Sequence, residues 1–383
     1  MKKAVIVPDS FKGTMSSLEV CGIIAQAFKK IKPEVETVQI PIADGGEGTA
    51  DAFLYALGGE KIYVKSKNPL FDDIDCYYAI LKNGKTAVIE TAAASGLTLI
   101  ESIKNPSTVL NASTYGTGLL IKDALDKNCE KIILGLGGSA TNDGGAGIIN
   151  ALGVKFLDEN KREIIPSNCG LSRLKYIDCA GLDERLKNCE FTIACDVDNV
   201  LLGTTGASYI FGPQKGADEE TVKILDANLL RYADILYEKT NINVKNIPGT
   251  GAAGGILASL LSFPDYFNCK ICSGIDIILD TVGFDEIIKD ADLIITGEGR
   301  FDSQSLSGKA VSGIAKRAKK QNKPVIVIAG GAREYGDEVY DLGITAVFSA
   351  CSGVYTGFEE VKKFCFNDLY KTTENILRVM REK

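Results

Sequence analysis

The chain has 383 residues, 45% of them hydrophobic and 24% charged, with a formal net charge of −7. This describes a globular protein too long for one ordinary core, and it offers no basic footprint for nucleic acid as the main partner. Histidine and tryptophan are absent; without histidine there is no Ser-His-Asp triad, no His-ligated zinc and no imidazole base, so a general base has to be a carboxylate, Lys, Tyr or Cys.

The first residues, Met1-Lys2-Lys3-Ala4, lack the apolar length of a signal peptide, and no apolar run approaches the ~20 residues of a membrane span. Eleven scattered cysteines fit reduced thiols in a cytoplasmic protein. The Cys269-x-x-Cys272 pair has no second pair beside it, so structural thiols are expected there rather than a metal site.

Residues 4–7 read as a buried strand, followed by the loop Pro8-Asp9-Ser10-Phe11-Lys12-Gly13. Ser16 and Glu19 predict a capping box, and Val20, Ile23, Ile24, Ala27 and Ile31 recur at helical spacing before Pro33. A strand over 35–40, the loop Asp44-Gly45-Gly46-Glu47-Gly48 and a helix through Leu57 repeat the rhythm of a parallel sheet. Short strands over 75–81 and 86–90 have a different, alternating texture.

Next comes an apolar strand over 131–134 and then Gly135-Leu136-Gly137-Gly138-Ser139-Ala140-Thr141-Asn142-Asp143-Gly144-Gly145, opening a helix at 146–152. Glycines let backbone N–H groups approach an anion, and a helix N-terminus adds positive charge, so this loop is a candidate phosphate cradle. A strand over 191–195 runs into Cys195-Asp196-Val197-Asp198-Asn199, two acids suited to Mg2+ on nucleotide phosphates. Lys215 stands on the glycine-flanked loop Gly212-Pro213-Gln214-Lys215-Gly216, as an anion partner or merely the lead-in to a helix over 218–239. Gly249-Thr250-Gly251-Ala252-Ala253-Gly254-Gly255 reads equally as helix packing or as an anion loop.

The opening rhythm returns at the end: a strand over 291–296, the loop Gly297-Glu298-Gly299-Arg300-Phe301-Asp302, a helix over 307–321, strands over 324–329 and 345–349, and a last helix over 358–382. Neither end has enough strands for a sheet alone. The expected fold is therefore α/β, a doubly wound parallel sheet built from both chain ends, residues 1–66 and 284–383, with a second α/β domain of mixed sheet inserted at 67–283.

Three functions compete. Phosphoryl transfer runs on positioning, metal and cations and needs no histidine. An NAD-dependent oxidoreductase acting on a small hydroxy acid would use Gly135-x-Gly137-x-x-Ala140 with Asp158 downstream, but the polar Thr141-Asn142-Asp143 interrupts that fingerprint. A non-catalytic sugar-acid binding protein would not need several glycine-rich anion loops.

The motifs Pro8–Gly13, Ala43–Thr49, Gly135–Gly145, Phe211–Ala217, Gly251–Gly255 and Thr296–Asp302, in that order and over essentially the whole chain, resemble the bacterial glycerate kinase family of the first type. One departure is Val200, where the family pattern has proline. The resemblance implies a Rossmann-like domain made from both ends and ATP-dependent phosphorylation of D-glycerate to phosphoglycerate, with 2-phosphoglycerate favoured. On that basis Asp9, Ser10, Lys12, Glu47, Glu298, Arg300 and Asp302 are expected to bind substrate, with its carboxylate facing Lys12 and Arg300. Gly137, Gly138, Ser139, Thr141, Asn142 and Lys215 are expected to hold ATP phosphates. Asp196, then Asp44, are the expected base and Mg2+ ligand, with Lys12 assisting catalysis. The expected partner is a small molecule, without nucleic acid or membrane, and the protein acts as a monomer or homodimer.

Overall fold

The computed structural model describes residues 1–380 apart from 43, 44, 307–309, 352 and 354. In chain order it runs β1 (Lys3–Ile6), α1 (Ser17–Ile31), β2 (Glu36–Gln39), α2 (Thr49–Leu57), β3 (Gly59–Lys67), β4 (Asp73–Leu81), β5 (Thr86–Glu90), α3 (Thr91–Ser95), α4 (Pro106–Asn111), α5 (Tyr115–Asp126), β6 (Lys131–Gly135) and α6 (Ala146–Ala151). A small hairpin, β7 (Lys155–Leu157) and β8 (Tyr176–Asp178), brackets α7 (Asn168–Leu171). Then follow β9 (Glu190–Ala194), α8 (Ala207–Phe211), α9 (Glu219–Thr240), α10 (Ile256–Ser262), β10 (Asn268–Cys272), α11 (Gly274–Val282) and α12 (Phe284–Ile287). The chain closes with β11 (Leu293–Thr296), β12 (Arg300–Phe301), α13 (Ala310–Lys320), β13 (Val325–Ala329), β14 (Gly331–Ala332), α14 (Glu338–Asp341), β15 (Ala346–Ser349) and α15 (Phe358–Val379).

Two compact units result. The first comprises Met1–Asp44, Asp51–Leu57 and Ile275–Lys383. Its sheet has the order β15-β13-β11-β1-β2 and every pairing is parallel. Alternate residues of β13 face opposite layers: Ile326 and Ile328 join Val20, Ile24, Phe28 and Leu369 from α1 and α15, while Val327 and Ala329 join Val311, Ala315, Val339 and Ile344. Helices thus cover both faces, the doubly wound arrangement expected. The α1 capping box is present, with Ser16 Oγ accepting from the Glu19 N–H and Glu19 Oε2 accepting from the Ser16 N–H; such a cap stabilises a helix by about 1 kcal/mol.

The second unit comprises Gly45–Ala50 and Gly58–Gly274. Its sheet, β10-β9-β6-β5-β4-β3, is mixed: β10, β9, β6 and β5 run parallel, β4 and β3 antiparallel. Its core gathers Ile89, Ile132, Leu134, Phe191 and Ile193 from the sheet with Leu120, Leu229, Tyr232 and Ile256 from helices.

The unit edges differ from those expected at 66/67 and 283/284. The 66/67 edge falls inside β3, which pairs with β4 along its whole length from Gly59 to Lys67. β3 is largely exposed and surrounds its short Ile62-Tyr63-Val64 run with the charges of Glu60, Lys61, Lys65 and Lys67, a weak strand signal that pairing with β4 completes. Residues 275–283 belong to the first unit, where Arg317 of α13 binds Asp276 and Asp280 of α11.

Candidate functional site

In the first sheet, the strand order reverses at β1 and β11, which are neighbours although far apart in the chain. Open α/β sheets bind ligands at such a switch point, outside the carboxyl ends of the strands. The loops at this point are the two expected to hold substrate. They are laced together: the Val7 N–H donates to the Ile295 carbonyl, the Asp9 N–H to the Gly297 carbonyl, both at 2.8 Å, and Thr296 Oγ1 donates to the Val7 carbonyl at 2.9 Å. Asp9 Oδ1 accepts from the Ser10 N–H, and Asp9 and Ser10 are half-buried beside an exposed Lys12. Glu298 is half-buried and its carbonyl accepts from the Gly330 N–H, tying in the end of β13. Arg300 is exposed, with Nε 3.1 Å from Asp302 Oδ2. The fold therefore gathers Asp9, Ser10, Lys12, Glu298, Arg300 and Asp302 on one sheet edge. Glu47 is not among them: it belongs to the second unit, where its carboxylate accepts from Thr98 Oγ1 at 3.1 Å.

In the second unit, β5, β6 and β9 end side by side, so the residues following each meet at one edge. The glycine loop after β6 is held differently from a bare phosphate cradle. The Gly137 N–H donates to the Gly45 carbonyl, the Ala140 N–H to the Ser95 carbonyl and the Gly144 N–H to the Gly254 carbonyl. A Cβ on Gly135 would collide with the Gly45 carbonyl, and one on Gly137 would lie 2.7 Å from the Gly46 Cα. These glycines admit a second glycine loop, residues 45–46, at van der Waals distance. Likewise the segment after Gly249 packs against this loop and residues 199–200.

The N-terminus of α6 is not open to a ligand. Asp143 occupies it: Oδ2 accepts from the N–H groups of Thr114 (2.8 Å) and Gly147 (3.1 Å) and from Thr114 Oγ1 (2.8 Å), and Oδ1 accepts from the Gly145 N–H (3.1 Å). The chain supplies its own anion where a phosphate was expected. Burial pushes the Asp143 carboxyl up, and these donors pull it back.

What the loop leaves for a ligand is side chains. Lys215, completely buried, reaches across from the turn before α9, and its Nζ donates to Ser139 Oγ (3.0 Å) and the Thr141 carbonyl (2.7 Å). Burial drives its pKa down to about 7, partly opposed by the Asp143 charge. Lys215 is thus tied to the glycine loop as well as preceding α9, which is capped independently by Asp218, accepting from the Thr221 N–H. Among the described residues, three buried polar atoms on the segments at this edge have no hydrogen-bond partner: Thr141 Oγ1, Asn142 Nδ2 and Thr91 Oγ1. Unmade hydrogen bonds of buried groups cost about 1–3 kcal/mol each, a cost a bound oxyanion relieves. Thr91, which the sequence reading does not single out, follows β5 directly and so lies at a strand's carboxyl end.

Asp196 is exposed just past β9, with Oδ1 accepting from the Gly274 N–H at 3.0 Å. Asp44 lies outside the described residues. Among the described residues no group of three or more His, Cys, Asp or Glu is arranged to hold a metal ion. A single strand-end carboxylate fits Mg2+ brought in on nucleotide phosphates, which needs only one or two protein carboxylates, and does not fit an all-protein cage. Cys269 and Cys272 lie three apart on β10, so they face opposite sides of the strand, and burial pushes the Cys269 thiol up to about 12. Asp158 caps its own turn, accepting from the N–H groups of Asn160 and Arg162, and so is committed locally. No helix among the described residues is long and apolar enough to cross a membrane.

A doubly wound sheet with polar loops at its switch point, and a second α/β unit with a buried lysine bonded to a glycine loop, are the features the comparisons with known proteins bear on. The model of the glycerate kinase family matches residues 4–381, and the chain belongs to that family. It is 44% identical to a glycerate 2-kinase of Escherichia coli K12, over 98% of this chain and 97% of that one. It is 46% identical to a glycerate kinase of Bacillus cereus, over 99% and 98%. The crystal structure of a Salmonella typhimurium LT2 protein assigned as glycerate kinase 2 superposes with a TM-score of 0.87 at 40% identity, covering 99% of this chain and 98% of that one.

Proposed function

We propose that this protein transfers the γ-phosphoryl group of ATP to D-glycerate and forms 2-phosphoglycerate. The observation that carries the nucleotide half is Lys215, buried and bonded to Ser139 and Thr141 beside the unpartnered Thr141 Oγ1 and Asn142 Nδ2. In this reading Lys215 neutralises phosphate charge, Ser139, Thr141 and Asn142 donate to phosphate oxygens, and Gly137 and Gly138 keep the loop thin enough for close approach. Mg2+ bound with the nucleotide would neutralise charge on the transferring group, held by Asp196 or Asp44. With no imidazole in the chain, the acceptor's hydroxyl proton goes to a carboxylate, Asp196 first and Asp44 second, or leaves late with the phosphoryl group. The 2-position is favoured by the likeness to the E. coli glycerate 2-kinase.

Thermal unfolding tests the class directly. Mg-ATP and Mg-ADP are expected to raise the midpoint by mass action, and NAD to leave it unchanged. Protection by NAD alone would sink the kinase reading. Phosphorus NMR of the product distinguishes the 2- from the 3-isomer.

Glycerate is assigned to the first unit, its carboxylate facing Lys12 and Arg300, with Asp9, Ser10, Glu298 and Asp302 orienting its hydroxyls. Arg clamps a carboxylate with two parallel hydrogen bonds, which Lys cannot reproduce. Arg300→Lys is therefore expected to raise the KM for glycerate about 10-fold and to leave that for ATP nearly unchanged. Equal effects on both substrates would remove Arg300 from this role.

A further inference from the structure

Asn168 sits at the start of α7, completely buried, with no place in the loop motifs. Its Nδ2 donates to two backbone carbonyls, Asn142 (2.8 Å) and Leu225 (3.0 Å), and its Oδ1 accepts from Asn228 Nδ2 of α9 at 2.9 Å. Backbone carbonyls only accept, so the orientation of this amide is unambiguous. The side-chain atom of Asn142 that faces Asn168 Nδ2, at 3.3 Å, must then be its oxygen. Ser208 Oγ of α8 approaches the same oxygen at 3.2 Å. The nitrogen of Asn142 is thereby turned away from both, and it is the buried donor without a partner.

We infer that Asn168, with Ser208, is a positioning residue for the reaction: it locks the Asn142 amide so that a donor, never an acceptor, faces the phosphate oxygens of the nucleotide. An unanchored amide can also present its oxygen to the site, where it would repel a phosphate. The locked orientation removes that alternative before the ligand arrives, and preorganisation of this kind raises affinity without a new contact. Asn168 of α7 and Ser208 of α8 hold the Asn142 amide, and α9 holds Asn168 in turn through Leu225 and Asn228. This inference rests on the proposal that nucleotide phosphates occupy the loop.

The test is a double-mutant cycle on the full chain with Asn142→Ala, Asn168→Leu and the pair, reading KM for ATP and for glycerate, the Kd for Mg-ADP and the unfolding midpoint. Asn168→Leu is expected to raise the ATP KM and the ADP Kd about 10-fold, leaving the glycerate KM within about twofold. In the Asn142→Ala background it is expected to add nothing to either nucleotide constant, because its only route to the ligand is gone. Independent, multiplying effects, or equal changes in both substrates' KM, would show a merely structural role and overturn the inference. If Asn168→Leu does not fold, Ser208→Ala removes the second anchor alone; it is expected to raise the nucleotide constants about threefold, again with no effect once Asn142 is Ala. Additivity in that cycle overturns the inference equally. Weakened nucleotide binding in Asn142→Ala with normal binding in Asn168→Leu and Ser208→Ala would defeat the positioning role and leave the nucleotide proposal standing. Unchanged nucleotide constants in both Asn142→Ala and Lys215→Met would defeat the nucleotide proposal, and the positioning role with it.

Discussion

Asp196→Asn is expected to lower the turnover number about 100-fold or more, the size of a general-base contribution, while Mg-ATP still protects the fold against heat. The substitution is nearly isosteric, and the amide oxygen of Asn continues to accept the Gly274 N–H that Asp196 Oδ1 accepts now. What disappears is basicity and negative charge. A loss in turnover with normal folding therefore reports chemistry and not collapse of the strand end. Loss of Mg-ATP protection together with turnover would instead assign Asp196 to holding the metal. Near-normal turnover would remove it from both roles and move them to Asp44.

Lys215→Met should cost nucleotide affinity and change the pH dependence of stability in the same protein. Met fills most of the aliphatic volume and deletes a charged donor, so the ATP KM is expected to rise about 30-fold or more, the upper part of the range for hydrogen bonds to charged groups, with little change for glycerate. The folded-state pKa of Lys215 is about 7 against an ordinary value of 10.5. Between those values the unfolded chain binds a proton that the folded chain does not, so stability rises with pH. The slope from this one group is at most about 1.36 kcal/mol per pH unit. Below pH 7 both states are protonated and the burial penalty is present in full; above 10.5 it is gone. Subtracting denaturation curves of the Met variant from those of the wild type isolates the group from the other titrating residues. A difference that is flat across this window would show that Lys215 stays charged when buried. Because a phosphate beside Lys215 favours its charged form, ATP binding above pH 7 is expected to take up a proton, read as a buffer-dependent binding enthalpy.

Much of the architecture was legible in the chain because it is written in local periodicity. Apolar runs marked β1, β6, β11 and β13, the Ser16–Glu19 pair marked the start of α1, and the strand–loop–helix rhythm at both ends implied one sheet shared between them. The absence of histidine, a property of composition alone, confined acid–base chemistry to carboxylates, Lys, Tyr or Cys. The glycine loops were visible because a chain that must turn sharply or approach another backbone closely needs residues without Cβ.

Partnership between distant segments carried no such mark. Lys215 stands 76 residues from Ser139, and nothing in its own loop distinguishes an anion partner from a helix lead-in. Asn168 is one of many asparagines until α7, α8 and α9 bring Asn142, Ser208 and Asn228 around it. Asp143 was part of a motif, but its place at the N-terminus of α6 depends on Thr114 at the start of α5, 29 residues away. Glu47 sits in a loop that follows a strand of one sheet yet packs with the other unit, through bonds such as Ala50 N–H to Glu90. β3 carries only the short run Ile62-Tyr63-Val64 among charges, and its full length is set by pairing with β4. Periodicity records which face of a segment is buried. Which donor meets which acceptor is settled only when parallel crossovers bring the carboxyl ends of separate strands to one edge.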